Sequence, residues 1–163
     1  MKRIITILIM VMALTFCASA QNSVKLYDEK ANPLEQIDSA LKTAKKSGKY
    51  VICQVGGNWC VWCTRFADFI TKDSEINQIV KDNFVYIHID YDKKKPHNAE
   101  MNERLGNAGR FGFPCMVVLD ANGKVLHIQD SSFLEEDKSY NKAKVLRFFK
   151  SWTPAAVTTP ASR

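Results

Sequence analysis

Histidine is scarce in this chain, and paired cysteines scarcer. His88, His97 and His127 are scattered, and one Cys-x-x-Cys pair occurs, Cys60 and Cys63. A zinc site takes four ligands, commonly two such pairs or one pair with closely spaced histidines, so a metal-binding use of the pair is disfavoured. There is no internal repeat and no nucleic-acid-binding motif. Lysines fall as Lys45-Lys46 and Lys93 to Lys95 among acidic residues, which reads as solvated surface and excludes a nucleic-acid footprint. Past the first twenty residues no stretch is long and apolar enough to span a membrane.

The first twenty residues are different. Lys2 and Arg3 precede an apolar run from Ile4 to Phe16, interrupted only by threonine, and Ala18-Ser19-Ala20 follows. A basic start, an apolar stretch and an A-x-A site predict an export signal cleaved after Ala20. The run is shorter than the ~20 residues of a spanning helix, which disfavours an uncleaved anchor. Bulky Phe16 before Cys17 disfavours lipoprotein processing. The expected organisation is a signal peptide over 1–20, one domain over 21–153 and a disordered tail over 154–163, small, polar and proline-containing. Losing Lys2 and Arg3 takes the formal net charge from +6 to a mild +4.

Four cysteines then remain, Cys53, Cys60, Cys63 and Cys115, and they allow three pairings. Exported chains meet oxidising conditions, where paired cysteines are usually structural. A bridge between Cys60 and Cys63 closes so short a loop that it removes little denatured-state entropy, and a domain of this size does not need stapling. A working dithiol is the better reading. Helical spacing of Cys63, Phe66, Ala67 and Ile70 predicts a helix beginning at about Cys60. A cysteine at a helix N-terminus faces unpaired N–H groups and the positive end of the macrodipole, which favours its thiolate. The second cysteine lies one turn deeper on the same side. The spacing predicts one exposed attacking thiol and one shielded resolving thiol.

Around this pair the expected elements alternate. Val24 to Tyr27 reads as a short strand. Asn32-Pro33 with Glu35 reads as a capping box opening a helix, with Leu34, Ile37, Leu41 and Ala44 on one face and Gly48 as its stop. Tyr50 to Val55 is apolar enough for a strand covered on both faces. Asp73 caps a helix with Ile76, Ile79 and Val80 inward, and Phe84 to Asp90 is the next strand. A short helix is expected around Ala99 to Leu105, then a buried strand from Cys115 to Leu119. Asn122-Gly123 turns a hairpin into Lys124 to Ile128. Val145, Phe149 and Trp152 mark a last helix ended by Pro154. Strands joined through helices are expected to be parallel. The fold class is α/β, a mixed central sheet covered by helices on both faces.

Trp59-Cys60-Val61-Trp62-Cys63 after a buried strand, and Gly112-Phe113-Pro114 before the strand Cys115 to Leu119, resemble the thioredoxin superfamily over nearly all of Val24 to Trp152. The W-C-x-W-C form and "GFPCMVVLDANGKVL" look most like its exported bacterial members. The resemblance implies a thioredoxin-like fold with a cis proline at Pro114 packed against the dithiol. It implies Cys60 as nucleophile, Cys63 as resolving thiol, and Pro114 shaping a groove in which Phe113 offers its backbone to an extended substrate. Trp59 would form an apolar docking rim and Trp62 would shield the bridge. Two positions depart from thioredoxin: Gln54 stands where its buried aspartate is expected, and Tyr86 stands at about the place of a nearby lysine. The pair between the cysteines is Val61-Trp62 rather than Gly-Pro.

The expected activity is exported thiol–disulfide exchange with protein disulfides or dithiols, with no dissociable cofactor, no metal and a redox partner to reset the pair. Because neither Val61 nor Trp62 is a histidine, as in strongly oxidising relatives, reductase is favoured over oxidase or isomerase. Such a reductase draws electrons from a membrane donor. A redox-inactive thioredoxin-like binding or chaperone module is the alternative. Cys53 reads as an inert apolar residue, and Cys115 is expected beside the dithiol.

Overall fold

The computed structural model describes residues 25–160. The expected export signal, its cleavage site and Val24 lie outside the described residues. A four-stranded sheet in the order β2-β1-β3-β4 is built from β1 (Tyr50–Gly56), β2 (Phe84–Asp90), β3 (Cys115–Leu119) and β4 (Val125–Asp130). The helices are α1 (Pro33–Ser47), α2 (Val61–Lys72), α3 (Ser74–Asn83), α4 (Asn98–Arg104), α5 (Lys142–Ser151) and α6 (Pro154–Thr158).

Helix ends follow their local chemistry. Asn32 caps α1 by accepting from the Leu34 N–H, Pro33 occupies the first turn, and Gly48 ends the helix in the left-handed region at φ 67°. The capping box does not close on the backbone: the Glu35 carboxylate instead accepts from the Asn32 side-chain amide at 3.4 Å. Asp73 caps α3, accepting from the N–H groups of Glu75 and Ile76. Period-two alternation along β1 then divides the interior. Val51, Cys53 and Val55 pack with Ile37, Ala40 and Ala44 of α1 and with Met101 of α4. Ile52 faces the other way, toward Phe66 and Ile70 of α2, Ile76 and Val80 of α3, and Val145 and Phe149 of α5. Helices therefore cover both faces of the mixed sheet.

Three expectations are corrected. Lys25 to Tyr27 are not a strand. The Asn58 side chain takes the place of a ladder there, accepting from the Tyr27 N–H at 3.0 Å and donating to the Tyr27 carbonyl at 2.9 Å. Second, β1 and β2 are parallel, but β3 runs antiparallel to β1 although a helix precedes it. The connection from Asp90 to Cys115 begins and ends at the same end of the sheet, because Gly56 pairs with Asp90 and Val55 with Cys115. Its seven-residue α4 does not carry the chain back along a strand. Third, the tail does not start out disordered: Thr153 accepts from the Ala156 N–H and Pro154 sits in the first turn of α6, so the proline that ends one helix opens another. Residues 161–163 lie outside the described residues. A two-stranded hairpin, β5 (Glu135–Glu136) and β6 (Ser139–Tyr140), was not foreseen, its strands being too short for alternation to mark them.

Antiparallel pairing of β3 with β1 matters most for function. The carboxyl end of β1, which leads into Cys60, lies beside the amino end of β3, which follows Pro114.

Candidate active site

Cys60 caps α2 from an extended backbone at φ −96° and ψ 106°, and its Sγ accepts from the Cys63 N–H at 3.2 Å. Cys60 and Cys63 are joined as a disulfide with Cα atoms 5.2 Å apart. The helix end supplies the N–H environment that favours a thiolate on Cys60. Cys60 is less open than its spacing suggests: the residue is 7% exposed in the bridged form and Cys63 fully buried. Both cysteines are therefore buried in the bridged form, and the expected exposed thiol is not exposed there.

The aromatic residues around the pair separate by role. Trp59 is 61% exposed and meets Phe113 edge to face, ring centroids 5.4 Å apart. Phe113 in turn packs on Tyr91 at 4.7 Å. These rings wall a groove of about 550 Å³ that continues past Glu29, Asp90 and Lys95. The Phe113–Pro114 peptide is cis. Trp62 lies on the other side, edge to face with Tyr140, with the Arg65 guanidinium 4.5 Å above its ring. Tyr140 donates from its hydroxyl to the Trp62 carbonyl at 3.1 Å, so the unforeseen hairpin buttresses the dithiol turn.

Cys115 directly follows Pro114 but turns away from the dithiol. It packs with Val55 and Val117 on the α1 face, while Cys60 and Cys63 cluster with Tyr27. Cys53 is on that same α1 face, and both thiols are free and buried. Burial pushes each up to about 12, so neither is a nucleophile near neutral pH.

Beneath Cys63 lies an uncharged polar array. Gln54, fully buried, donates through Nε2 to the Cys63 carbonyl at 3.0 Å and to the Tyr27 hydroxyl at 2.6 Å. Its Oε1 accepts from the Tyr86 hydroxyl at 2.6 Å. The two departures from thioredoxin are thus one unit, an amide and a phenol bonded to each other. His88, register partner of Gln54, stands edge-on to both Tyr27 and Tyr86, each at 5.4 Å. Its Nε2 is buried with no hydrogen-bond partner among the described residues, and desolvation lowers its pKa to about 4. Burial raises Tyr27 and Tyr86 above the ordinary phenol range. Asp90 is the nearby carboxylate; it pairs with Lys95, whose Nζ also donates to the Glu29 carbonyl at 2.6 Å. Among the described residues no group of three or more His, Cys, Asp or Glu side chains could hold a metal ion.

Tyr27 and His88 were not read as site residues. The one sequence signal was Gln54 standing where thioredoxin has its buried aspartate, and it named no partner. Gly56 closes β1 directly after the apolar run Tyr50 to Val55. A Cβ there would run into Cys63 Sγ and come within 2.8 Å of Tyr27 Oη. Both atoms are held, one by the disulfide and one by Gln54, so neither yields easily. Gly56→Ala is expected to cost about 2 kcal/mol, as overpacking does, read from urea unfolding of the oxidised protein. An alanine variant as stable as the parent would show that the turn has room to spare.

Comparison with known proteins agrees with this architecture. The stretch most like a curated relative is 29% identical over 97 residues to the disulfide bond reductase DsbH of Chlamydia pneumoniae, covering 56% of this chain and 58% of that one; the chain thus spans little more than half the length of the curated relative it matches. The fold resembles a disulphide isomerase from Xylella fastidiosa Temecula1, with a TM-score of 0.66 and 24% identity over 77% of this chain and 94% of that one. It also resembles the reduced C-terminal domain of DsbD from Neisseria meningitidis, with a TM-score of 0.51 and 24% identity over 73% and 96%. The thioredoxin-like family itself matches residues 32–121, from the cap of α1 through the strand after Pro114. With more than half its length in that match, and a dithiol at the head of α2, the chain belongs to the thioredoxin-like family.

Proposed function

We propose that this protein is an exported thiol–disulfide oxidoreductase working as a reductase of protein disulfides. The observation that carries the reading is the Cys60–Cys63 pair at the N-terminus of α2, beside a groove rimmed by Trp59 and Phe113. In the reduced protein the Cys60 thiolate attacks a substrate disulfide, forming a mixed disulfide and expelling one substrate sulfur as thiolate. Cys63, deprotonated, then attacks Cys60 Sγ, closes the Cys60–Cys63 bridge and releases the second substrate thiolate. Two electrons pass from the dithiol to the substrate, and the expelled thiolates take up the protons that the two cysteines lost. Trp59 and Phe113 hold an extended substrate segment, and the backbone before Pro114 pairs with it as a strand.

Export rests on the basic-apolar-small pattern ending at Ala20. An exported reductase needs a partner that delivers electrons, and a membrane donor fits because a periplasm is held oxidising. The absence of histidine between the cysteines and the name of the Chlamydia relative support the reductase reading. The domain would run over 21–153.

Turnover and potential test this together. Mature protein is expected to accelerate insulin reduction by dithiothreitol, with a Cys60/Cys63 potential closer to the about −270 mV of thioredoxin than to the about −120 mV of DsbA. A potential near the latter would make it an oxidase. An intact dithiol that leaves insulin reduction unchanged would leave a binding or chaperone module in this groove.

A further inference from the structure

We propose that the Tyr27 hydroxyl is the hydrogen-bond donor that receives the Cys63 sulfur as it becomes a thiolate, with Gln54 holding the hydroxyl in place. The inference rests on the exchange activity proposed above and assigns the group that serves its resolving sulfur.

The directions of the hydrogen bonds carry it. A backbone carbonyl only accepts, so the Gln54 atom facing the Cys63 carbonyl at 3.0 Å is the amide nitrogen. That choice places Oε1 toward Tyr86, whose hydroxyl must donate to it. The second N–H of Nε2 must donate to Tyr27 Oη. Tyr27 therefore spends a lone pair on Gln54 and keeps its own proton for another acceptor. Among the described residues Tyr27 Oη accepts from Gln54 and donates to no acceptor. Cys63 Sγ and Tyr27 Oη flank the same point over Gly56, and Tyr27 clusters with Cys60 and Cys63. In the disulfide, Cys63 Sγ is a weak acceptor. When an incoming thiolate attacks Cys60 Sγ, the Cys60–Cys63 bond breaks and its electron pair leaves on Cys63. The new thiolate is a strong acceptor beside a waiting phenol. No proton is transferred: burial keeps Tyr27 protonated far above neutral pH.

The polar and titratable groups gathered around Gln54, Tyr27 and the dithiol are few. Gln54, from β1, is neutral. Tyr86 and His88, from β2, are neutral near pH 7. Cys60, from α2, is the partner sulfur. Asp90, at the end of β2, is paired with Lys95. A site without a buried unpaired carboxylate stabilises its thiolate by hydrogen bonding, and a donor to a charged acceptor is the strong kind.

The test reads Cys63 in a Cys60→Ser background, where one sulfur titrates without coupling to the other. The Cys63 β-carbon shift in carbon-labelled protein is followed against pH. Tyr27→Phe is expected to raise the midpoint by about one pH unit, about tenfold less thiolate at a given pH. Tyr86→Phe removes a hydroxyl whose proton is already donated to Gln54 Oε1, and is expected to move it less. An unmoved midpoint in a folded Tyr27→Phe protein would overturn the proposal. So would a midpoint that answers to Asp90→Asn and not to Tyr27→Phe, which would make it depend on the carboxylate's charge and not on a hydrogen-bond donor. The spectrum itself reports whether each variant is folded. Because titration needs no turnover, a Tyr27-dependent Cys63 in a protein inert toward insulin would refute the exchange activity alone.

Discussion

A Cys63→Ser protein is expected to capture partner proteins as mixed disulfides that the parent chain releases. Cys60 keeps everything that makes it a nucleophile: the N-cap position, the groove beside it and the N–H of residue 63 donating to its sulfur. What is lost is the second sulfur, held on the neighbouring turn with Cα atoms 5.2 Å apart. An intramolecular thiol so placed acts at an effective concentration no external thiol reaches, so turnover should fall by about a thousandfold or more. Cys60→Ser should lose activity as completely but capture nothing, because Cys63 is fully buried. Non-reducing gels of each variant after exposure to exported proteins make the comparison. Efficient trapping by Cys60→Ser with none by Cys63→Ser would reverse the roles and refute the argument from the helix end.

The second large effect is loss of stability in acid, set by His88. Its ring is wedged against Tyr27 and Tyr86 with Nε2 unpartnered among the described residues, and desolvation holds its folded pKa at about 4, below the usual 6.5. Because the folded value is the lower one, the native state binds its proton later than the unfolded chain. The stabilising contribution is whole above pH 6.5 and drains away as pH falls toward 4. Across that window it amounts to about 3 kcal/mol. Urea unfolding at pH 7, 5.5 and 4 is expected to show a steep decline in the parent and a much shallower one in His88→Phe, which fills the same aromatic slot without a titrating nitrogen. Equal slopes in the two proteins would mean that His88 gains its proton in the folded state as readily as in water.

What could be read in advance divides by range. The cap at Cys60 and the buried face of Cys63, Phe66, Ala67 and Ile70 depend on neighbours within a few turns, and they stand as expected. The same holds for Asp73 and for Gly48. The direction of β3 was misread because it depends on where a long connector finishes, and helical periodicity around residue 100 carries no information about that. Tyr27 was misread because what holds it is Asn58, an amide 31 residues along the chain. A residue clamped by one distant side chain leaves no period to detect. Gln54 was legible only as a departure from the thioredoxin pattern. Its meaning waited for the fold to bring Tyr27, Tyr86 and the Cys63 carbonyl around it.

The two inert cysteines give the sheet a use beyond support. Cys53 and Cys115 lie on the α1 face, sealed among Val55, Val117 and Ile37, and the bridged pair lies off that face with Tyr27. With export and cleavage after Ala20 as proposed above, the unfolded chain can join its four remaining cysteines in three ways. Once the sheet closes, two of those sulfurs are walled off and held as thiols by burial, and disulfide shuffling needs a thiolate that can reach its target. The partition makes correct pairing a property that lasts as long as the native state does. Each mispaired molecule would record either an error made before the first closure or a later moment at which the whole sheet came apart.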